Sequence, residues 1–249
     1  MFISHREPLA SHVFNHMKKL IASGALEHGH LLPSEAEMAK QYNVSKTVIR
    51  EALTQLSAFG MVQISQGRAT RVLGINSTAF KEIFMLAMEA SPQGLRDAIE
   101  LRRALETQTA QLAADQRETE GMSLMVESLN EMQHWKGEDE LWVEIDYLFH
   151  LGMAKASGNR LMILFMEALI SPIQQSMEMI SAQGDLTYDR QATYQRHLHL
   201  YEAIKSGDVT ASFHAVSAHF AASRHVLDAV SDDPSRLVKW NSIPVKLFN

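Results

Sequence analysis

The 249 residues contain no cysteine. Disulfides, cysteine-ligated zinc and thiol nucleophiles are therefore excluded, and a reducing compartment is expected. Long apolar runs are missing too: none approaches the roughly 20 residues of a membrane-spanning helix. The opening segment, MFISHREPLASHVF, has no signal-peptide pattern. A soluble cytoplasmic protein with no membrane partner is the expectation. Charged residues make up only 21% and apolar residues 46%, so the composition is not that of a disordered chain and suffices for a core. The length suits one or two domains.

The net charge of −6 is unevenly spread. Residues 1–75 hold eight Lys/Arg and five Asp/Glu, a balance of +3; the remainder holds 15 bases and 24 acids, a balance of −9. Only the first part could approach a polyanion. Its pattern is helix, helix, short turn, helix, hairpin. The first helix covers 8–23, with Leu9, Val13, Met17, Leu20 and Ile21 on one stripe and Gly24 as its stop. In LLPSEAEMAKQY, Ser34 and Glu37 have the spacing of a capping box. After the turn NVS, Ser45 caps KTVIREALTQLSAF, which ends at Gly60. The β-rich pieces MVQIS and TRVLG flank QGRA, where Gly67 supplies the turn.

This order is that of a winged helix-turn-helix. A helix that enters the major groove presents polar and basic side chains at its N-terminal end, and here that end offers Ser45, Lys46, Thr47 and Arg50. The wing tip offers Gln66, Gly67 and Arg68, and a glycine there lets backbone approach a phosphate or the minor groove. Taken singly, Lys46, Arg50 and Arg68 would read as solvated surface charges. Together, in this architecture, they point to double-stranded DNA.

The stretch LPSEAEMAKQYNVSKTVIREALTQLSAFGMVQISQGRATRV resembles the N-terminal domain of the GntR family of bacterial transcriptional regulators. The resemblance implies that the helix from Ser45 and the wing at Gly67 bind operator DNA, with Ser34, Lys46 and Arg50 at the contact and Gly67 in the minor groove. Two positions depart from the family pattern. Ala36 stands where many members have a DNA-touching arginine. Lys46 also replaces an arginine, and lysine lacks arginine's rigid bidentate fork.

Beyond the linker GINSTAF the reading is helical: 79–90, 92–115, 119–134, 139–157, 159–182, 187–206 and 208–230. Ser91 with Pro92, Thr119 and Asp208 mark starts, Gly158 and Gly207 mark stops, and Pro172 is expected to kink its helix. No run alternates as a strand should. The fold class is therefore mainly α: a winged helix-turn-helix over 5–75, then an all-α bundle of six or seven helices over 76–230. The tail, 231–249, has no assigned role.

Asp146 and His150, in DYLFHLGMAKASGN, are one helical turn apart and can converge. Alone they read as a surface pair or a satisfied core pair. The segments AIELRRALETQTAQLAA, DYLFHLGMAKASGNRLM, HLHLYEAIKSGD and AVSAHF are similar to the effector-binding domain of FadR-type GntR regulators. By that resemblance Asp146, His150, His197 and His219 are ligands of a divalent metal. Three imidazoles and a carboxylate suit zinc, and also nickel or manganese. Family position selects His197 over His199, which points to another side of its helix; His214 and His225 are likewise rotated off the face of His219. Arg102 reads locally as an i,i+4 ion pair with Glu106. By resemblance it grips the carboxylate of a small organic acid, of the sugar-acid or hydroxy-acid class, beside the metal. Arg103, about 100° further round, is expected at the surface.

The resulting expectation is a homodimeric, effector-controlled transcriptional regulator, a repressor relieved by its acid, with no catalytic residues. Two alternatives stay open. One is a purely structural metal or a metal that is itself the signal; the other is a ligand set that activates water, as in a metal-dependent hydrolase.

Overall fold

The computed structural model describes residues 8–91, 93–136, 139–181 and 189–231. The chain divides into two compact units, Met1–Ala79 and Phe80–Asn249. The tail from 232 onward lies outside the described residues, as does Pro92.

In the first unit, α1 (Leu9–Ala22), α2 (Glu35–Tyr42) and α3 (Lys46–Ala58) precede a minimal ribbon, β1 (Val62–Gln63) and β2 (Arg71–Val72). Local chemistry sets the helix ends. Ser34 Oγ accepts from Glu37 N at 3.3 Å, and Glu37 Oε2 accepts from Ser34 N at 2.9 Å, so the capping box forms. Asn43 closes α2 in the left-handed region (φ 52°), where asparagine is among the better-tolerated residues. Ser45 Oγ accepts from Val48 N at 3.3 Å and starts α3. Val13, Met17, Ile21, Met38, Ile49, Leu53, Leu56, Val62 and Val72 then form one core, and a fully buried leucine or isoleucine contributes about 1.5–3 kcal/mol.

Two expectations change here. Leu9 is 58% exposed and Ala10 is buried in its place: the buried stripe runs 10, 13, 17, 21, the 3–4 spacing of one helix face. The ribbon is also shorter than the hairpin read from MVQIS and TRVLG. It pairs antiparallel with Val62 opposite Val72, and only these two of its four strand residues reach the core.

The described residues of the second unit form helices alone: α4 (Thr78–Glu89, beginning at the boundary), α5 (Gly94–Gln116), α6 (Thr119–His134), α7 (Asp139–Ala156), α8 (Arg160–Ser181), α9 (Arg190–Ser206) and α10 (Val209–Ser231). Asp208 Oδ1 accepts from Ala211 N at 2.8 Å and starts α10. Gly207, at φ 75°, closes α9. Thr119 is not a cap. It is the first helical residue after Glu118, whose N–H donates to Ala156 O at 3.1 Å and ties the start of α6 to the end of α7. α8 continues through Pro172, as the segment 159–182 anticipated.

α6 and α7 approach each other through glycine. A Cβ on Gly121 would lie 2.5 Å from Gly152 O and overlap Ala156 N. A Cβ on Gly152 would lie 2.9 Å from Met125 N and 3.0 Å from Gly121 O. The absent side chains let two backbones touch, and Met125, Leu129, Trp142, Phe149 and Met153 fill the core beside them. That contact fixes where α7 carries Asp146 and His150.

Candidate functional site

In the first unit a groove of about 660 Å³ opens between the N-terminal ends of α2 and α3 and the wing. Ser34, Lys46, Arg50, Gln66, Gly67 and Arg68 line it. Lys46 and Arg50 are one turn apart on α3, so both reach the same side. Gly67 sits at φ 71° with open space where a Cβ would be. Ser45 and Thr47 are exposed at the start of α3 but are not part of the lining. Two candidates are already engaged. The Ser34 hydroxyl donates to Glu37 Oε2 at 2.7 Å within the capping box. Arg50 forms a fork on Glu35, with Nε donating to Oε1 at 3.1 Å and Nη2 to Oε2 at 2.6 Å. Glu35 also lines the groove, and the hydrogen bond from Arg50 holds its carboxyl below the usual range. The groove thus carries Lys46, Arg50 and Arg68 against one carboxylate.

In the second unit four of the predicted side chains converge. His150 and Asp146 come from α7, His197 from α9 and His219 from α10. The three imidazoles offer nitrogen atoms within 4.8 Å of one another and all three are buried. They occupy core positions because each continues an apolar stripe: His197 precedes Leu200 and Ile204, and His219 follows Ala215 and Val216. His199 and His214 are exposed on the other sides of these helices; the side chain of His225 lies outside the described residues. Phe149 stands edge-on to His197, with ring centres 4.5 Å apart, and packs the site from below.

The protons can be placed. His197 Nδ1 lies 2.8 Å from Thr193 O, a carbonyl that can only accept, so Nδ1 donates. His150 Nδ1 lies 2.6 Å from Glu106 Oε2. That separation is an ion-pair distance, although the angle falls short of a regular hydrogen bond. A carboxylate oxygen so close requires the proton on Nδ1 as well. In neutral rings both Nε2 atoms then present lone pairs, and they face each other at 3.3 Å. Asp146 Oδ1 adds a third electron-rich atom, 3.1 Å from His197 Nε2. Such a cluster is repulsive unless a cation lies among its members.

Burial argues against that cation being a proton on His150 or His219. It pushes His150 down, helped by the charge of Arg102, and pushes His219 well down, helped by His197 and His150. Burial also opposes ionisation of Asp146. The surrounding His150, His197 and Arg102 outweigh it and hold that carboxyl well below the usual carboxylate range. A charged carboxylate and convergent imidazole nitrogens are a donor set for a borderline divalent metal.

Arg102 projects from α5 toward the same place. Its Nε donates to Glu106 Oε1 at 2.5 Å, and its Nη2 lies 4.0 Å from Asp146 Oδ2 without a hydrogen-bond partner. Arg103 is exposed. Asp146 and Arg102 keep 28% and 12% of their side-chain surface, while Glu106, His150 and His197 keep none, so solvent meets the cluster at the Asp146–Arg102 edge. Glu106 is the site residue that sequence reading missed: its i,i+4 spacing showed Arg102 but not His150.

Comparison with known proteins adds the family. The gntR family model of bacterial regulatory proteins matches residues 9–72, and the FCD domain model matches residues 97–222. The HTH-type transcriptional regulator LutR of Bacillus subtilis is 27% identical over 220 residues, covering 86% of this chain and 99% of its own. The HTH-type transcriptional repressor NanR of Klebsiella aerogenes is 27% identical over 217 residues, covering 86% and 83%. The Glc operon transcriptional activator of Escherichia coli is 27% identical over 170 residues, covering 66% of each. Among solved structures, Streptococcus agalactiae GntR superposes with a TM-score of 0.67 at 21% identity, covering 87% of this chain and 99% of that one.

Proposed function

The chain belongs to the gntR family of bacterial regulatory proteins and carries an FCD domain, so it is a DNA-binding transcriptional regulator rather than an enzyme; from that premise we propose that it is a repressor released by a small carboxylate held at a divalent metal. Lys46, Arg50 and Arg68 meet operator phosphates and bases, and Gly67 brings the wing backbone to the minor groove. A homodimer places one head on each half of a short palindrome. Asp146, His150, His197 and His219 hold the metal, zinc being the ion best matched to three imidazoles and one carboxylate. A divalent ion there supplies a Lewis-acidic position for a carboxylate oxygen. Arg102 takes the rest of that carboxylate, since its Nη2 points at the Asp146 edge with no partner of its own. Among the described residues no helix is long and apolar enough to cross a membrane, and we place the protein with its DNA in the cytoplasm.

The observation that carries the metal is the convergence of the His150 and His197 Nε2 atoms on each other and on Asp146, with both Nδ1 atoms already committed. Repression follows the NanR relatives; the E. coli relative is named an activator. Calorimetry tests the reading. Hydroxy acids and sugar acids are titrated into zinc-loaded protein, chelator-stripped protein and an Arg102→Ala variant. Heat of binding that appears only with zinc and Arg102 supports it. Binding of an acid with equal affinity to stripped protein would sink it. A second reading, a structural or sensed metal without an acid, is favoured by the complete burial of His150 and His197. Zinc binding with no response to any acid, and DNA release governed by zinc alone, would select it.

A further inference from the structure

Glu106 has no exposed surface and stands between two groups that the proposed function uses separately. One carboxylate oxygen accepts from Arg102 Nε at 2.5 Å; the other lies 2.6 Å from His150 Nδ1. Burial opposes its charge, but Arg102 and His150 outweigh that and hold the carboxyl below its usual range. A local reading makes this an i,i+4 ion pair one turn along α5. The local reading leaves the second oxygen without a purpose. It also leaves open why a carboxylate is fully buried when Arg102 itself retains a path to solvent.

We propose that Glu106 is a positioning residue that links the metal ligand to the acid-binding arginine. Through Oε2 it keeps the His150 proton on Nδ1, so that Nε2 offers its lone pair to the metal. Through Oε1 it holds the guanidinium by Nε and turns Nη2 free toward Asp146. A metal-ligating imidazole whose far nitrogen meets a carboxylate is a better and better-oriented ligand. Because the same carboxylate sets the arginine, occupancy of the metal position and affinity for the acid are coupled, and by linkage each must favour the other. The inference rests on the metal reading given above.

The test uses full-length protein and zinc alone. Zinc affinity is measured by competition with a chromophoric chelator, and nitrogen-15 spectra report which ring nitrogen of His150 is protonated. Glu106→Gln keeps the volume but can satisfy only one neighbour, and zinc affinity should fall by about 10–100-fold. Leaving Arg102 buried beside a neutral partner could by itself disturb folding, so a second pair of variants removes that effect. Arg102→Leu and the double variant Arg102→Leu/Glu106→Leu are compared, since replacing both members of a buried ion pair with apolar groups is often tolerated. The double variant should bind zinc at least about tenfold more weakly than Arg102→Leu, and its His150 should show an Nε2–H population absent from Arg102→Leu. Equal zinc affinity and an unchanged tautomer in that pair would overturn the role of Glu106 while leaving the metal site standing. Failure of the wild-type protein to bind zinc, or His219→Ala binding it as well as wild type, would overturn the metal reading and this inference with it.

Discussion

Replacing Gly121 by alanine should loosen the helical unit measurably, and the structure gives the size of the effect. An added Cβ would overlap Ala156 N and sit 2.5 Å from Gly152 O. Ordinary carbon contacts need about 3.5–4.0 Å, so α6 and α7 must separate by on the order of 1 Å along their closest line. The obstructing atoms are backbone and cannot rotate away. Overpacking of this kind costs about 1–3 kcal/mol. Alanine returns about 0.5–1 kcal/mol in helix propensity relative to glycine. The net expectation is a loss of up to about 2.5 kcal/mol, centred near about 1 kcal/mol, and for a domain of 150–250 residues each kcal/mol lowers the melting temperature by about 2–4 °C. Gly152→Ala should cost less, because its nearest obstructions lie at 2.9–3.0 Å, against 2.5 Å and closer at Gly121. Calorimetric melts in the presence of chelator separate this from metal binding. A Gly121→Ala protein that melts at or above the wild-type temperature would refute the claim that backbone contact at this glycine sets the α6–α7 spacing.

Four further outcomes are expected. Chelator should lower the melting temperature and added zinc restore it, whereas His197→Ala should melt alike under both conditions; identical curves for wild type with and without zinc would count against the site. Glu35→Gln releases Arg50 from its fork, so affinity for promoter DNA should rise and the slope of log affinity against log salt should steepen, by up to about 0.9 per head; a flat response would mean that Arg50 already engages DNA while paired. Arg50→Ala should weaken binding to the protein's own promoter fragment in gel-shift or anisotropy measurements, and no loss would remove Arg50 from the DNA-contact set. Lys46→Ala should flatten the salt slope by about one per head with little change in sequence preference, since lysine acts as a point charge; altered preference without a changed slope would contradict that role.

Much of this fold could be read along the chain because its punctuation is chemical. Ser45 and Asp208 start helices with their own side-chain oxygens, and Gly207 ends one in a conformation that suits glycine. The readings that failed were those where two neighbours could serve. Leu9 is larger than Ala10, yet the 3–4 spacing of the buried face selects Ala10. Thr119 is a better cap by type than Glu118, yet a backbone bond from Glu118 to Ala156, across to another helix, sets the boundary. At the candidate sites, the coarse layout was visible and the partnerships were not. The stripe of His197, Leu200 and Ile204 already separates His197 from His199, a signal present in the sequence though family position was what selected it. Glu35 beneath Arg50 and Glu106 beneath His150 are tertiary contacts, across 15 and 44 residues (150 minus 106), and no local spacing announces them.

The proposed ligand set also bears on how the unit stays together. His150 and His197 are 47 residues apart in sequence and meet at 3.3 Å; His219 brings in a third helix. An ion bound by all three would close two large loops at a single point, and closing a loop stabilises by removing freedom from the unfolded chain. This is the mechanical role that a disulfide plays in secreted domains, and this chain, without cysteine, has no disulfide to play it. A tie made of imidazoles is broken by a chelator, not by a reductant. The integrity of the sensor unit would then follow metal supply and be indifferent to thiol balance.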